Sequence, residues 1–160
     1  MASSSDSSSK RRDPLPVFCF KVDLTLGGGD ADQAFFKSVS GLSYETEVVE
    51  VREGGVNDTT WKLVGAMKWK NLVLKQGFTI VNPNQASGLL KWRESWMTGE
   101  EMRRVDGKIT IMNTAMASMG TWTFFHGWPV KWELGELDAS KNELAIETLE
   151  IAHEGLKFQK

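Results

Sequence analysis

Between Val39 and Val64 the sequence spells out a long β-hairpin that its own core does not need. Residues Tyr44 to Arg52 are rich in β-branched and aromatic side chains, which fit a pleated surface. Gly54-Gly55 and Asn57-Asp58 supply turn residues, and Thr60 to Ala66 reads as the return arm. Strand alternation places Tyr44, Thr46, Val48, Glu50 and Arg52 on one side and Ser43, Glu45, Glu47, Val49 and Val51 on the other. Charge and valine therefore fall on both faces, and such a ribbon buries little within one chain. Isolated hairpins are marginal in water, so the arm is expected to gain its stability from another subunit.

The remaining pattern is mainly strand. Val17 to Leu26 alternates, with Phe18, Phe20, Val22, Leu24 and Leu26 on one face, and Gly27-Gly28-Gly29 ends it. Phe35 to Leu42 leads into the hairpin, and Lys68 to Ile80 continues after it. Further strands are expected over Arg103 to Met112, around Trp122 and Phe124, around Val130, Trp132 and Leu134, and over Glu143 to Ala152. One helix interrupts the series. Asn82-Pro83 offers its start and Gly99 its stop, and Leu89, Trp92 and Trp96 form an apolar stripe between them. Many strands with one helix suggest a small antiparallel β-barrel or sandwich with a flanking α-helix.

The last strand changes phase: Leu144 and Ile146 lie on one face, Leu149 and Ile151 on the other. Either a bulge re-aims its second half, or one face packs internally while the other meets a neighbouring chain. On the second reading Glu147, Leu149 and Ile151 join Glu45 and Glu47 as candidate subunit-interface residues. Residues 1–13 are polar, Ser-rich and almost free of apolar side chains, which marks a disordered tail. Residues 14–160 form one domain by length, large enough for a real core.

Chemistry leaves little trace. Nineteen basic against 21 acidic residues give a net charge of -2, no basis for specific nucleic-acid binding. No apolar run approaches the roughly 18 residues of a membrane span, so membrane insertion is not expected. The lone Cys19 can form neither an internal disulfide nor a cysteine zinc cluster and reads as a packed thiol. His126 shares a strand face with Trp122 and Phe124 and reads as a packing histidine; His153 has no ligand-spaced companion. Glu45, Glu47, Glu50 and Glu53 alternate across a ribbon and do not converge as an acid–base pair. Asp30-Ala31-Asp32 lacks the glutamate that completes a calcium loop. Seven tryptophans are spread over strands and helix, as core and interface packing requires. No catalytic residue, cofactor or metal is expected.

The run Phe36-Lys-Ser-Val-Ser-Gly-Leu-Ser-Tyr-Glu-Thr-Glu-Val-Val-Glu-Val-Arg-Glu-Gly-Gly55 resembles the tail tube proteins of contractile phages. It is more similar still to the inner tube proteins of phage-tail-like contractile injection systems. Lys62-Leu-Val-Gly65, Asn71-Leu-Val-Leu-Lys-Gln-Gly77, Gly127-Trp-Pro-Val-Lys131 and Asn142-Glu-Leu-Ala-Ile-Glu-Thr-Leu-Glu150 with His153-Glu-Gly155 follow in the family's order. The resemblance spans residues 14 to 156. It implies the β-barrel shared with the type VI secretion tube and a structural, non-enzymatic role. It also implies homo-hexameric rings stacked into a hollow tube, a contractile sheath around it, baseplate, spike and terminator proteins at its ends, and cargo in the lumen. The hairpin Val49, Glu50, Val51, Arg52, Glu53, Gly54, Gly55, Val56, Asn57 and Asp58 becomes the ring-stacking element by motif match. The resemblance further implies assembly in the bacterial cytoplasm and then a place in an extracellular or intracellular contractile particle or a virion tail. The Ser-rich extension and the loop Met112 to Met119 depart from the family pattern.

Overall fold

The structure, a computed structural model, describes residues 19–25, 32–52, 54–55, 60–78, 88–137, 140 and 145–159. The 1–13 tail, the Asn82-Pro83 helix start and the tip residues Glu53, Val56, Asn57 and Asp58 lie outside the described residues. In chain order the elements are β1 (Cys19–Thr25), β2 (Asp32–Phe36), β3 (Ser38–Ser40), β4 (Tyr44–Arg52), β5 (Thr60–Trp69) and β6 (Leu72–Gly77). They continue with α1 (Gly88–Thr98), β7 (Val105–Met112), β8 (Ser118–Leu134), β9 (Ile146–Ala152) and β10 (Gly155–Gln159).

Every described pairing is antiparallel. One sheet runs β2-β1-β7-β8-β9-β6-β3, with β10 also on β8; β4 and β5 make a separate two-stranded sheet. The terminal strands β2 and β3 are joined through Lys37, whose N–H donates to the Lys75 carbonyl at 2.9 Å. That link curls the sheet into a barrel. Its interior holds Val22, Leu24, Phe36, Leu72, Leu74, Ile109, Phe124, Leu149 and Ile151, and Leu89 and Trp92 of α1 close it. The expected helical stripe thus faces the core, and Gly99, at φ +73°, ends the helix. Trp92 Nε1 and Trp96 Nε1 both donate to the Arg103 carbonyl, at 2.8 and 3.1 Å.

Three expectations are corrected. The separate strands expected around Trp122 and around Trp132 are one 17-residue strand, β8. Gly127 and Pro129 look like breakers, but register shifts at Val105/Gly107 and Pro129/Lys131 absorb the irregularity without ending the strand. His126 is not a packing residue: its φ of +51° turns it outward, away from buried Phe124. Its Nδ1 lies 3.0 Å from the Glu154 carboxylate on the surface. Glu147, Leu149 and Ile151 are not surface residues of β9. All three are buried in this chain's own core, because β6 and β8 flank β9 and α1 covers that face. Ile146, on the opposite face, is the exposed apolar residue of this strand.

Candidate assembly surface

The hairpin leaves the barrel at Gly41, whose φ is +85°. Its base is tied down by backbone and rings. Lys70 N–H donates to the Ser43 carbonyl at 3.1 Å. Tyr44 and Trp69 are register partners with ring centroids 5.5 Å apart. Trp69 lies 6.0 Å from the His153 ring, and His153 Nε2 is 3.0 Å from the Lys70 carbonyl. His153 is buried, so desolvation holds its pKa below the ordinary value while hydrogen bonds to the Lys70 and Gly155 backbone oppose that shift.

Beyond this base the ribbon carries an irregularity. Thr46 pairs with Met67 and Val48 with Val64, so Gly65 and Ala66 of β5 stand against the single Glu47 of β4. This bulge on β5 leaves the alternation of β4 intact. Past it, Val49 pairs with Leu63 and Val51 with Trp61 on one face, whereas Glu50 pairs with Lys62 and Arg52 with Thr60 on the other. The four pairs toward the tip therefore separate apolar from polar, but beside the bulge the polar face also carries the exposed Val48–Val64 pair. The apolar face lies open: Val49 is 43%, Val51 40%, Leu63 54% and Trp61 56% exposed.

Sequence reading placed Val49 and Val51 correctly but missed Trp61 and Leu63 as their partners, because the β4 side alone shows charge next to valine. Counting back from the turn across both arms pairs them. Glu45 stands opposite Lys68, and Glu47 is 4.0 Å from Lys68 Nζ; both glutamates are exposed, as an interface position requires. The candidate residues thus divide in two. Those of the hairpin that are described are exposed, and Glu147, Leu149 and Ile151 are buried.

A second surface lies on the far part of β8, where Lys131 Nζ and Glu133 are 2.6 Å apart. Their mutual hydrogen bond raises the lysine pKa and lowers that of the carboxyl. Both groups are fully exposed, so the pair adds little stability. Nearby, Arg104 lies 4.4 Å over the Trp128 ring and bonds Glu154 at 2.7 Å.

A further relation concerns edges. Among the described residues β2 pairs only with β1 and β10 only with β8, so the sheet segment β2-β1-β7-β8-β10 ends in an unpaired strand at either side. Unpaired edges are templates for another chain.

Residues 16–157 match the family model of the T4-like virus tail tube protein gp19. The chain belongs to that family. A chain in the baseplate of the anti-feeding prophage is 28% identical, with 92% of this chain and 96% of that one covered and a TM-score of 0.80. A chain of the sheath–tube complex of the extracellular contractile injection system PVC, in its extended state, is 24% identical over 99% of both chains. Its TM-score is 0.71. A type six secretion system protein shares the fold alone, at 10% identity over 88% of this chain and 82% of that one, with a TM-score of 0.57. No curated protein sequence matches. The resemblance read from Phe36 to Gly55 and four further motifs is thereby borne out, as is the mainly β tail-tube fold with one helix.

Proposed function

We propose that this protein is the structural, non-catalytic subunit of the inner tube of a contractile injection system or phage tail. Hexameric rings stack through the hairpin into a hollow tube inside a contractile sheath, and cargo passes through when the sheath contracts. The observation that carries this reading is the apolar distal face of the hairpin. Four large side chains stay open to water on a ribbon that contributes nothing to its own core, a pattern that marks an interaction surface. Unlike edges at β2 and β10 also suit a head-to-tail contact, the kind that closes rings. Obligate contacts of this sort bury on the order of 2,000 Å² or more. The protein assembles in the bacterial cytoplasm and then resides in a contractile particle or virion tail, with sheath, baseplate, spike and terminator proteins as its partners.

The likeness to a baseplate chain favours one alternative, a tube-initiating subunit that forms a ring on a hub without extending it. Negative-stain microscopy separates the two. Long periodic tubes from the purified protein support the main-tube reading, and single rings support the initiator. Folded monomers at high concentration count against both. Replacing residues 53–58 by Asn-Gly, which closes a two-residue hairpin well, is expected to leave circular dichroism unchanged and to stop assembly at monomers or single rings. Normal tubes from that variant remove the stacking role of the hairpin tip.

A further inference from the structure

The sheet segment β1-β7-β8-β10 has one face on the core and one turned away from it, and the outward face is polar in two cross-strand rows. Asp23, Lys108, Thr123 and Lys157 are successive register partners across β1, β7, β8 and β10. Lys21, Thr110, Thr121 and Gln159 form the second row, in which the Thr110 and Thr121 hydroxyls are 3.3 Å apart. Lys21 and Asp23 neutralise each other at 3.4 Å. Lys108 and Lys157 are exposed and flank Thr123 in one row, so the face carries a net positive charge in a chain whose net charge is -2. At its margin Asp106 is held by the His126 backbone N–H at 2.8 Å, and Glu154 is held by Arg104.

Geometry decides where this face points in a ring. When copies join through β2 and β10, the segment becomes a continuous wall. The helix, β6 and β9 lie on its core side, and that bulk fits outside the wall, where the circumference is larger. Six copies of five strands at about 4.8 Å per strand give a wall about 140 Å around, or about 45 Å across between backbones. That bore, less its side chains, admits a polypeptide or a small folded protein.

Resting on that ring assembly, we propose that the Lys108–Thr123–Lys157 row lines the tube lumen and recruits protein cargo with an acidic surface. Repeated around the ring, the row becomes a belt of paired lysines at one height, and stacked rings repeat the belt along the tube. Exposed lysines attract weakly and in a salt-dependent way, which suits a cargo that must be held and then released. Nucleic acid is the less suitable polyanion. Its interfaces are much more densely positive than a face with two uncompensated lysines per copy, and the exposed aromatics of this side, Phe35 and Phe125, sit on separate strands rather than interleaved with lysines.

The test uses preassembled wild-type tubes, checked by microscopy, and a short fluorescent poly-glutamate peptide, with poly-glutamine and a single-stranded oligonucleotide beside it. Co-sedimentation of poly-glutamate at about 50 mM salt, its loss at about 500 mM, and no binding of poly-glutamine are expected. Lys108→Gln with Lys157→Gln is expected to weaken retention at least about tenfold, or 1.4 kcal/mol, while leaving tubes intact. Lys131→Gln, on the other surface, is expected to change nothing. Intact tubes that ignore poly-glutamate, or retain it equally in the double variant, overturn the cargo proposal alone. Tighter retention of the oligonucleotide than of the peptide overturns the choice of protein. Failure of the wild type to form any ring overturns the tube reading and this one with it.

Discussion

Arg93 of α1 and Glu147 of β9 meet at 3.2 Å in an ion pair almost shut off from water. Glu147 also accepts hydrogen bonds from Trp132 Nε1, at 3.0 Å, and from Gln76 Nε2. The Arg93 guanidinium lies 4.4 Å over the Trp132 ring. One carboxylate thus ties the helix to three strands of the barrel. Buried pairs stabilise little over an apolar replacement, but losing one partner strands the other charge. Glu147→Ala is expected to cost about 3–5 kcal/mol in urea unfolding and Glu147→Gln less. A loss below about 1 kcal/mol from the alanine variant refutes this role.

The hairpin surface predicts the opposite balance. Trp61→Ser with Leu63→Ser removes two exposed side chains, so monomer stability is expected to change by no more than about 1 kcal/mol. Buried aromatic anchors dominate interfaces, so ring stacking is expected to fail. Tube length by microscopy against thermal unfolding of the same sample checks both halves. A variant that loses fold and assembly together contradicts the separation.

Gly41 sets the angle at which the hairpin leaves the barrel. At φ +85°, a Cβ there would lie 1.9 Å from the Asn71 carbonyl oxygen. Gly41→Ala forces the backbone to move, and positive-φ strain adds to the clash. A loss of at least about 2 kcal/mol is expected. A wild-type midpoint in chemical denaturation argues that the exit is not fixed there.

His153 gives a pH dependence. Burial is the largest cause of its lowered pKa, so the unfolded chain takes up the proton first as pH falls. Stability is full above the unfolded value near 6.5 and declines as pH drops from there toward the folded pKa. Its neighbours are the Trp69 ring and the Lys70 carbonyl rather than a compensating carboxylate. Urea midpoints are expected to fall between pH 7.5 and pH 5, and His153→Gln is expected to flatten the part of that slope due to this group. An unchanged slope in the variant removes His153 as its source.

Local alternation and turn chemistry were enough to reveal the hairpin, the β1 face of Val22 and Leu24, the helical stripe through Leu89, Trp92 and Trp96, and the stop at Gly99. Motif order gave the family. Each is a property of neighbours along the chain. The errors on β9 and on the hairpin share one cause, which is that alternation says which residues face together but not which face is covered. Leu149 and Ile151 read as interface candidates because nothing in the sequence says that the barrel and α1 enclose that face of β9. His126 read as inward because strand parity assumes no positive φ between it and Phe124. The apolar hairpin face stayed hidden until Trp61 and Leu63 were paired with Val51 and Val49. Pairing across strands and coverage by a distant helix are non-local, so the tertiary structure alone decided which residues are core and which remain open for assembly.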